Sequence, residues 1–242
     1  GFVDLQGIGT SLGNRLLRTK DVASPANDRA DLEIRGARSH HPPTMTLEAD
    51  SDVLSSVRSR YSEGAETQVP ELCCPVDYDA SLLEVLPEEI IERDYGCGDP
   101  SRFVREGDVV LDLGSGGGKI CYMASQLTGP AGRVIGVDAT DAMLELSRKY
   151  TGPVGDRIGW HNVEFRRGHI QDLALDHDRV NSFLAEHPAT DLESREALRR
   201  EETRLRREAP MVATESVDLV LSNCVLNLVD GADKERMFRE IH

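Results

Sequence analysis

Long apolar runs are absent from these 242 residues, and so is any excess of basic side chains. No stretch approaches the roughly 18 consecutive apolar residues that a membrane-spanning helix needs. The first 20 residues also lack the charged start and long apolar core of a secretory signal. Lys and Arg number 28 against 43 Asp and Glu, for a net charge of −15. Because nucleic-acid binding needs basic surfaces, we expect a cytoplasmic protein without a nucleic-acid or membrane partner.

Cysteines are few and odd in number: Cys73, Cys74, Cys97, Cys121 and Cys224. An odd count in a chain without a secretory signal argues against a disulfide framework. Structural burial, redox chemistry and binding of a soft ion therefore stay open as roles for these thiols.

Methionine is absent before Met45, and residues 1–44 show no sustained hydrophobic period. We therefore expect a disordered leader over residues 1–44. The chain ends at His242 within a helical pattern, which predicts a single domain over residues 45–242 that is incomplete at its C-terminus.

The most informative stretch begins at residues 109–113, which are mostly apolar and predict a strand buried on both faces, as in a parallel sheet. Gly114, Gly116 and Gly118 follow at every second position, and an amphipathic run from Ile120 predicts a helix. Glycine permits both the positive φ of a tight turn and the close approach of a ligand to the backbone. The unpaired amides of the helix start point toward such a ligand. The stretch predicts a nucleotide-type site at the carboxyl end of a sheet.

Two acids accompany this loop. Asp112 lies in the strand, two residues before Gly114, and Asp138 ends a second predicted strand over residues 132–138. A carboxylate about 20 residues after the loop is suitably spaced to bind ribose hydroxyls. The loop lacks the third glycine spacing of a dinucleotide site and the Gly-Lys-Ser/Thr phosphate cradle. The pattern suits a nucleoside that carries no phosphate.

The other segments alternate between helices and strands, which predicts an α/β protein with a parallel sheet. Within residues 178–208, acids precede arginines by four positions, as Glu196 precedes Arg200 and Glu202 precedes Arg206. Such pairs favour an exposed, polar helical insertion. The further predicted helices and strands are helix 49–64, a helix from Pro87 to Gly96, helix 140–150, strand 163–167, strand 216–221 and a last helix near Gly231.

Residues 109–119 and Asp138 resemble the first motif and the ribose acid of the class I S-adenosylmethionine-dependent methyltransferases. The resemblance implies a Rossmann-like, three-layer α-β-α fold and S-adenosylmethionine as the cofactor. It also implies that residues 168–172 meet the adenine and that Tyr61 closes over the methionine part. The implied cofactor-binding residues are Tyr61, Asp112, Gly114, Ser115, Gly116, Gly118, Asp138, Ala139, Met143, Ile170, Gln171 and Asn223.

Three further motifs indicate the methyl acceptor: Tyr95–Gly98, Cys121–Tyr122 and Ser222–Val229. Together they resemble the arsenite methyltransferases, and the resemblance covers about residues 50–242. It implies arsenite methylation, a reaction of arsenic detoxification. Soft trivalent arsenic prefers thiolate ligands.

The same resemblance implies that the catalytic thiolates that hold trivalent arsenic are Cys97 and Cys224, with a thiol reductant as a further partner. One more ligand is expected from Cys73 or Cys74, and the motif does not distinguish the two. Cys121 is expected in the hydrophobic core, because a free cysteine behaves as a small hydrophobic residue.

Two other functions fit the pattern. One is a methyltransferase for another small acceptor, such as a quinone or a sterol, with structural cysteines. The other is a non-catalytic protein that binds a soft ion or the cofactor. The chain also departs from the family: members often carry Arg-Asp after the glycine loop, where this chain has Lys119 and Ile120, and they continue past His242 with a region that supplies another cysteine.

Overall fold

The structure, a computed structural model, describes residues 77–94 and 98–242. Four parallel strands form one sheet in the order β3-β2-β1-β4. Chain order reverses between β1 and β4, and ligands of open α/β sheets bind in the crevice beyond the carboxyl ends of strands at such a point. The strands are β1 Val109–Leu113, β2 Arg133–Asp138, β3 Val163–Arg167 and β4 Leu219–Ser222.

Helices pack around this sheet. The long ones follow the strands, as expected for parallel strands joined by crossover connections. In chain order the helices are α1 Ala80–Leu83, α2 Glu88–Glu92, α3 Lys119–Thr128, α4 Asp141–Ile158, α5 His177–Glu186, α6 Leu192–Glu208 and α7 Gly231–Ile241. Short 3₁₀ turns lie at Ser101–Phe103 and Leu226–Leu228.

Both faces of the sheet are buried, because successive side chains of a strand point in opposite directions. In β1, Val110 packs into a core with Tyr122 of α3 and Leu144 of α4. Its neighbour Leu111 belongs to a second core on the opposite face, against which Ile241 of α7 packs. This arrangement confirms the predicted Rossmann-like α/β class, with the sheet between two covering layers.

Several predicted boundaries are wrong. Helix α4 does not stop at Tyr150 but continues to Ile158, with Pro153 inside it, and ends at Gly159 in a left-handed conformation. Burial of Val154 in the core outweighs the cost of the proline. Helix α2 ends at Glu92 instead of Gly96, and β4 begins at Leu219 instead of Ser216.

The polar stretch forms two helices, α5 and α6, where the sequence predicts one. Asp176 caps α5 by accepting bonds from the amides of Asp178 and Arg179. Asp191 caps α6 through a reciprocal pair of bonds with Ser194. A side-chain acceptor at a helix start satisfies amides that have no partner within the helix.

No helix within residues 77–94 and 98–242 has the length and apolar character that a membrane crossing requires. The predicted leader over residues 1–44 and the predicted helix over residues 49–64 lie outside the described part of the chain.

Candidate active site

The loop from β1 to α3 presents its backbone at the carboxyl edge of the sheet. Gly114, Gly116 and Gly118 have φ values of 72°, 51° and 91°, a region that side chains disfavour. The amides of Gly114 and Ser115 donate to the carbonyl oxygen of Val137 in β2, at 2.8 and 3.0 Å. These bonds join the loop to the neighbouring strand.

The three glycines meet different surroundings. A Cβ on Gly114 would lie 2.5 Å from a methyl carbon of Val225, and one on Gly118 would lie 2.6 Å from Cζ of Phe165. A Cβ on Gly116 would meet no atom within 4 Å. Gly114 and Gly118 are therefore required for close packing as well as for the turn, whereas Gly116 borders open space.

Asp138, at the end of β2, lies against this loop. Its Oδ2 accepts a hydrogen bond from the amide of Gly116 at 2.9 Å, and its Oδ1 accepts one from the amide of Thr140 at 2.7 Å. Burial raises the pKa of this carboxyl, and the amide bonds act in the opposite direction. The carboxylate is thereby fixed in orientation beside the cavity.

Asp112 lies deeper, below the loop. Burial raises its pKa to about 7, and the charges of Asp138 and Asp94 act in the same direction. Its Oδ2 accepts a hydrogen bond from the thiol of Cys121 at 3.3 Å. The thiol is fully buried, as predicted for a core cysteine, and burial raises its pKa well above the usual value.

One cavity at this edge brings together most of the residues predicted to bind the cofactor. Gly118 lies outside it, because it starts α3 and packs against Phe165, and Tyr61 falls outside the described residues. The predicted residues that line the cavity are Asp112, Gly114, Ser115, Gly116, Asp138, Ala139, Met143, Ile170, Gln171 and Asn223.

The same cavity contains residues that the sequence analysis missed. They include Asp94, Gly117 and Ile120, and apolar side chains of the segment after β4 also line the cavity. Asp94 comes just before the Tyr-Gly-Cys-Gly motif, near the end of the helix predicted from Pro87 to Gly96. The adjacent motif is the sequence signal that could have drawn attention to it.

The residues of the cavity fit a nucleoside with a polar tail. Asp138 can accept from ribose hydroxyls, Met143 and Ile170 offer apolar contact to a base, and the glycine loop leaves room at Gly116. The hydroxyl oxygen of Ser115 is buried and has no hydrogen-bond partner within the described part of the chain. This oxygen lies 2.8 Å from the position that a Cβ on Gly136 of β2 would occupy, so it is packed against the sheet.

The predicted arsenic ligands are only partly within the described residues. Cys224 follows β4, has a positive φ of 60° and takes part in a disulfide bond. Its neighbour Asn223 lines the cavity and donates from Nδ2 to the carbonyl oxygen of Gly98 at 2.7 Å. Cys73, Cys74 and Cys97 lie outside the described residues. Among residues 77–94 and 98–242, no group of three His, Cys, Asp or Glu side chains could hold a metal ion.

Comparison with known proteins agrees with this site. A family model described as "Methyltransferase domain" matches residues 105–207, which include β1, the glycine loop and Asp138. Residues 105–207 are therefore similar to a methyltransferase domain. The sheet around them has the Rossmann-like parallel order predicted from the sequence.

Proteins similar to this chain include several named arsenite methyltransferase. One from Rattus norvegicus is 30% identical over 208 residues, which cover 82% of this chain and 47% of the relative. One from Aquipseudomonas alcaligenes is 34% identical and covers 66% of this chain and 36% of the relative. The chain is thus similar to arsenite methyltransferases and spans less than half the length of these two.

A solved structure is also similar, that of an arsenic(III) S-adenosylmethionine methyltransferase from Chlamydomonas reinhardtii. It is 32% identical, with a TM-score of 0.46, and the match covers 66% of this chain and 42% of that one.

Proposed function

We propose that the protein transfers methyl groups from S-adenosylmethionine to trivalent arsenic held by cysteine thiolates. The observation that carries this proposal is the position of Cys224 directly after Asn223, which lines the cavity at the carboxyl edge of the sheet. The similarity of the chain, over 82% of its length, to an arsenite methyltransferase supports the same acceptor.

The cofactor would be held by residues that the cavity already brings together. Asp138 would accept hydrogen bonds from the ribose hydroxyls, Ile170 and Gln171 would contact the adenine, and the backbone at Gly116 would border the methionine part. When bound, S-adenosylmethionine would supply a sulfonium methyl group: an electron pair on the acceptor would bond to the methyl carbon, the carbon–sulfur bond would break, and S-adenosylhomocysteine would leave, with no general base required. The contribution of the protein is then mainly to position the two reactants.

Apolar side chains around the cavity would exclude water from the reaction. Val225, Leu228 and Val229, which follow β4, line the cavity, and so does Ile120. Exclusion of water also strengthens the electrostatic contacts of Asp138, because the local dielectric constant falls.

The substrate would bind through thiolates, which soft ions prefer. Cys224 would supply one of them, Cys97 a second, and Cys73 or Cys74 a third. Because Cys224 is disulfide-bonded in this structure, two equivalents of a thiol reductant must first convert that disulfide to two thiols, and the reductant leaves as its own disulfide. A thiol reductant is therefore part of the proposed reaction.

The test is arsenite-dependent consumption of S-adenosylmethionine by the full natural protein with a thiol reductant. Cys224→Ser and Cys97→Ser should each abolish methylation and leave cofactor affinity unchanged, since the cofactor contacts lie on other residues. Arsenite should also protect both thiols from alkylation in the reduced protein. Full activity of Cys224→Ser would contradict the proposal. Cofactor binding without arsenite-dependent turnover would favour another small acceptor or a non-catalytic binding protein.

A further inference from the structure

Asp94 lies in the segment before β1 and borders the glycine loop at the cavity. It lines the cavity together with Gly116 and Gly117. The carbonyl oxygen of the preceding residue, Arg93, is 3.9 Å from the position that a Cβ on Gly117 would occupy. The carboxylate of Asp94 is therefore next to the loop, even though it is far from the loop in sequence.

Two side chains hold this carboxylate through the same oxygen. Oδ2 accepts a hydrogen bond from the hydroxyl of Tyr78 at 3.1 Å and another from the ammonium of Lys119 at 3.1 Å. Lys119 is a nearly buried cation, with 7% of its side chain exposed, and its Nζ lies 3.5 Å from the centre of the Tyr78 ring. Within the described part of the chain, no hydrogen bond engages Oδ1.

The other two carboxylates of the cavity are less suited to a cationic ligand. Both oxygens of Asp138 already accept backbone amides. Asp112 is fully buried, and its raised pKa of about 7 leaves it partly protonated at neutral pH. Asp94, by contrast, has one oxygen anchored and one without a partner among the described residues.

We propose that Oδ1 of Asp94 accepts a hydrogen bond from the α-ammonium group of the methyl donor, and that Lys119 and Tyr78 are positioning residues for it. This inference rests on the proposed function, because the ammonium belongs to the amino-acid end of the donor. An ammonium–carboxylate hydrogen bond is among the stronger polar contacts, since both partners are charged. The contact would fix that end of the donor against the glycine loop.

The experiment compares two ligands by calorimetry. S-adenosylhomocysteine carries the amino-acid end, and 5′-methylthioadenosine lacks it. Asp94→Asn should weaken binding of S-adenosylhomocysteine by about tenfold or more, the usual effect of losing a hydrogen bond to a charged group. Its affinity for 5′-methylthioadenosine should not change. The matched control, Asp138→Ala, should weaken both ligands, because both carry the ribose.

Lys119 provides the test of positioning. Lys119→Met should weaken S-adenosylhomocysteine selectively, and Lys119→Arg should restore most of the affinity. If Lys119 had only a general structural role, Lys119→Met would weaken the binding of both ligands equally.

Equal weakening of both ligands by an Asp94→Asn variant that still folds, or no weakening of either, would overturn the inference and leave the proposed function standing. A wild-type chain that binds neither ligand would overturn both. Asp94→Asn alone leaves the buried ammonium of Lys119 without its carboxylate, and the variant could lose 5′-methylthioadenosine because it misfolds. In that case the double variant Asp94→Asn, Lys119→Met is measured, because it removes the ammonium as well. The same loss of both ligands in that double variant would also overturn the inference.

Discussion

Arg206 of α6 donates hydrogen bonds to both carboxylate oxygens of Asp172, with an Nη2–Oδ2 distance of 2.9 Å. Asp172 directly follows residues 168–171, which line the cavity. Its Oδ1 also lies 2.9 Å from Nη2 of Arg236 in α7. One nearly buried carboxylate thus connects two helices to the loop at the end of β3.

Arg206→Ala should therefore loosen this loop. We expect a loss of about 1–2 kcal/mol in the free energy of unfolding, a typical value for hydrogen bonds to a charged group, because Arg236 still pairs with Asp172. Binding of the methyl donor should weaken as well. Denaturant unfolding and calorimetry measure the two effects.

The control is Arg204→Ala on the same helix. Arg204 pairs with Glu201 one turn earlier and is exposed, so its removal should change stability by no more than about 0.5 kcal/mol. Equal effects of the two substitutions would show that Arg206 has no special role.

Asp138→Ala should weaken binding of S-adenosylmethionine by about 1–3 kcal/mol, the range for losing hydrogen bonds to a charged acceptor. The substitution also leaves the amides of Gly116 and Thr140 without their acceptor. Asp141→Ala, which removes a surface ion pair with Arg167, is the control and should leave affinity unchanged. Calorimetric affinity that is the same in Asp138→Ala and wild type would remove the ribose assignment.

Stability should decrease as the pH rises from about 4 to 7. Asp112 ionises near 3.8 in the unfolded chain but at about 7 in the fold, because burial disfavours its charged form. The folded protein therefore holds an extra proton over that interval. The protonated Asp112 therefore contributes about 2–4 kcal/mol to the free energy of unfolding below pH 3.8. This contribution is lost as the pH passes 7.

Unfolding in denaturant at pH 5 and pH 8 measures this effect. Asp112→Asn should show a smaller difference between the two pH values than wild type. Some dependence should remain, because burial also raises the pKa of Asp138. An unchanged difference in the variant would contradict the assignment to Asp112.

Gly114→Ala should be far more harmful than Gly116→Ala. Both residues have positive φ, which costs an alanine about 1–2 kcal/mol, but only the Cβ at position 114 would collide with Val225. We expect Gly116→Ala to fold with a modest loss of stability and Gly114→Ala to lose several times more. Thermal unfolding of the two variants tests this ranking, and equal melting temperatures would contradict the packing argument.

Cys121 should resist alkylation in the folded protein. The thiol is fully buried, and its raised pKa leaves little thiolate, the form that reacts. Mass spectrometry after iodoacetamide treatment should find this cysteine modified only after denaturation. Rapid modification under native conditions would show that the site opens readily.

The sequence by itself determined the elements whose signal is local. Residues 109–113 form a strand because they are an apolar run bounded by glycines, and Asp138 lies beside the loop because its spacing spans one helix and one strand. The positions of Gly114 and Gly116 likewise follow from the turn that alternating glycines permit. Each of these inferences needs only neighbours along the chain.

Only the tertiary structure decided which distant side chains meet. Helix α4 continues past Pro153 because Val154 is buried against the sheet, a gain that local propensity does not register. Tyr78, Asp94 and Lys119 converge across separations of 16 and 25 residues. No periodicity or motif spacing links them, because their contact depends on how the segment before β1 packs over the glycine loop. That packing, and not the motif, placed a third carboxylate at the cavity.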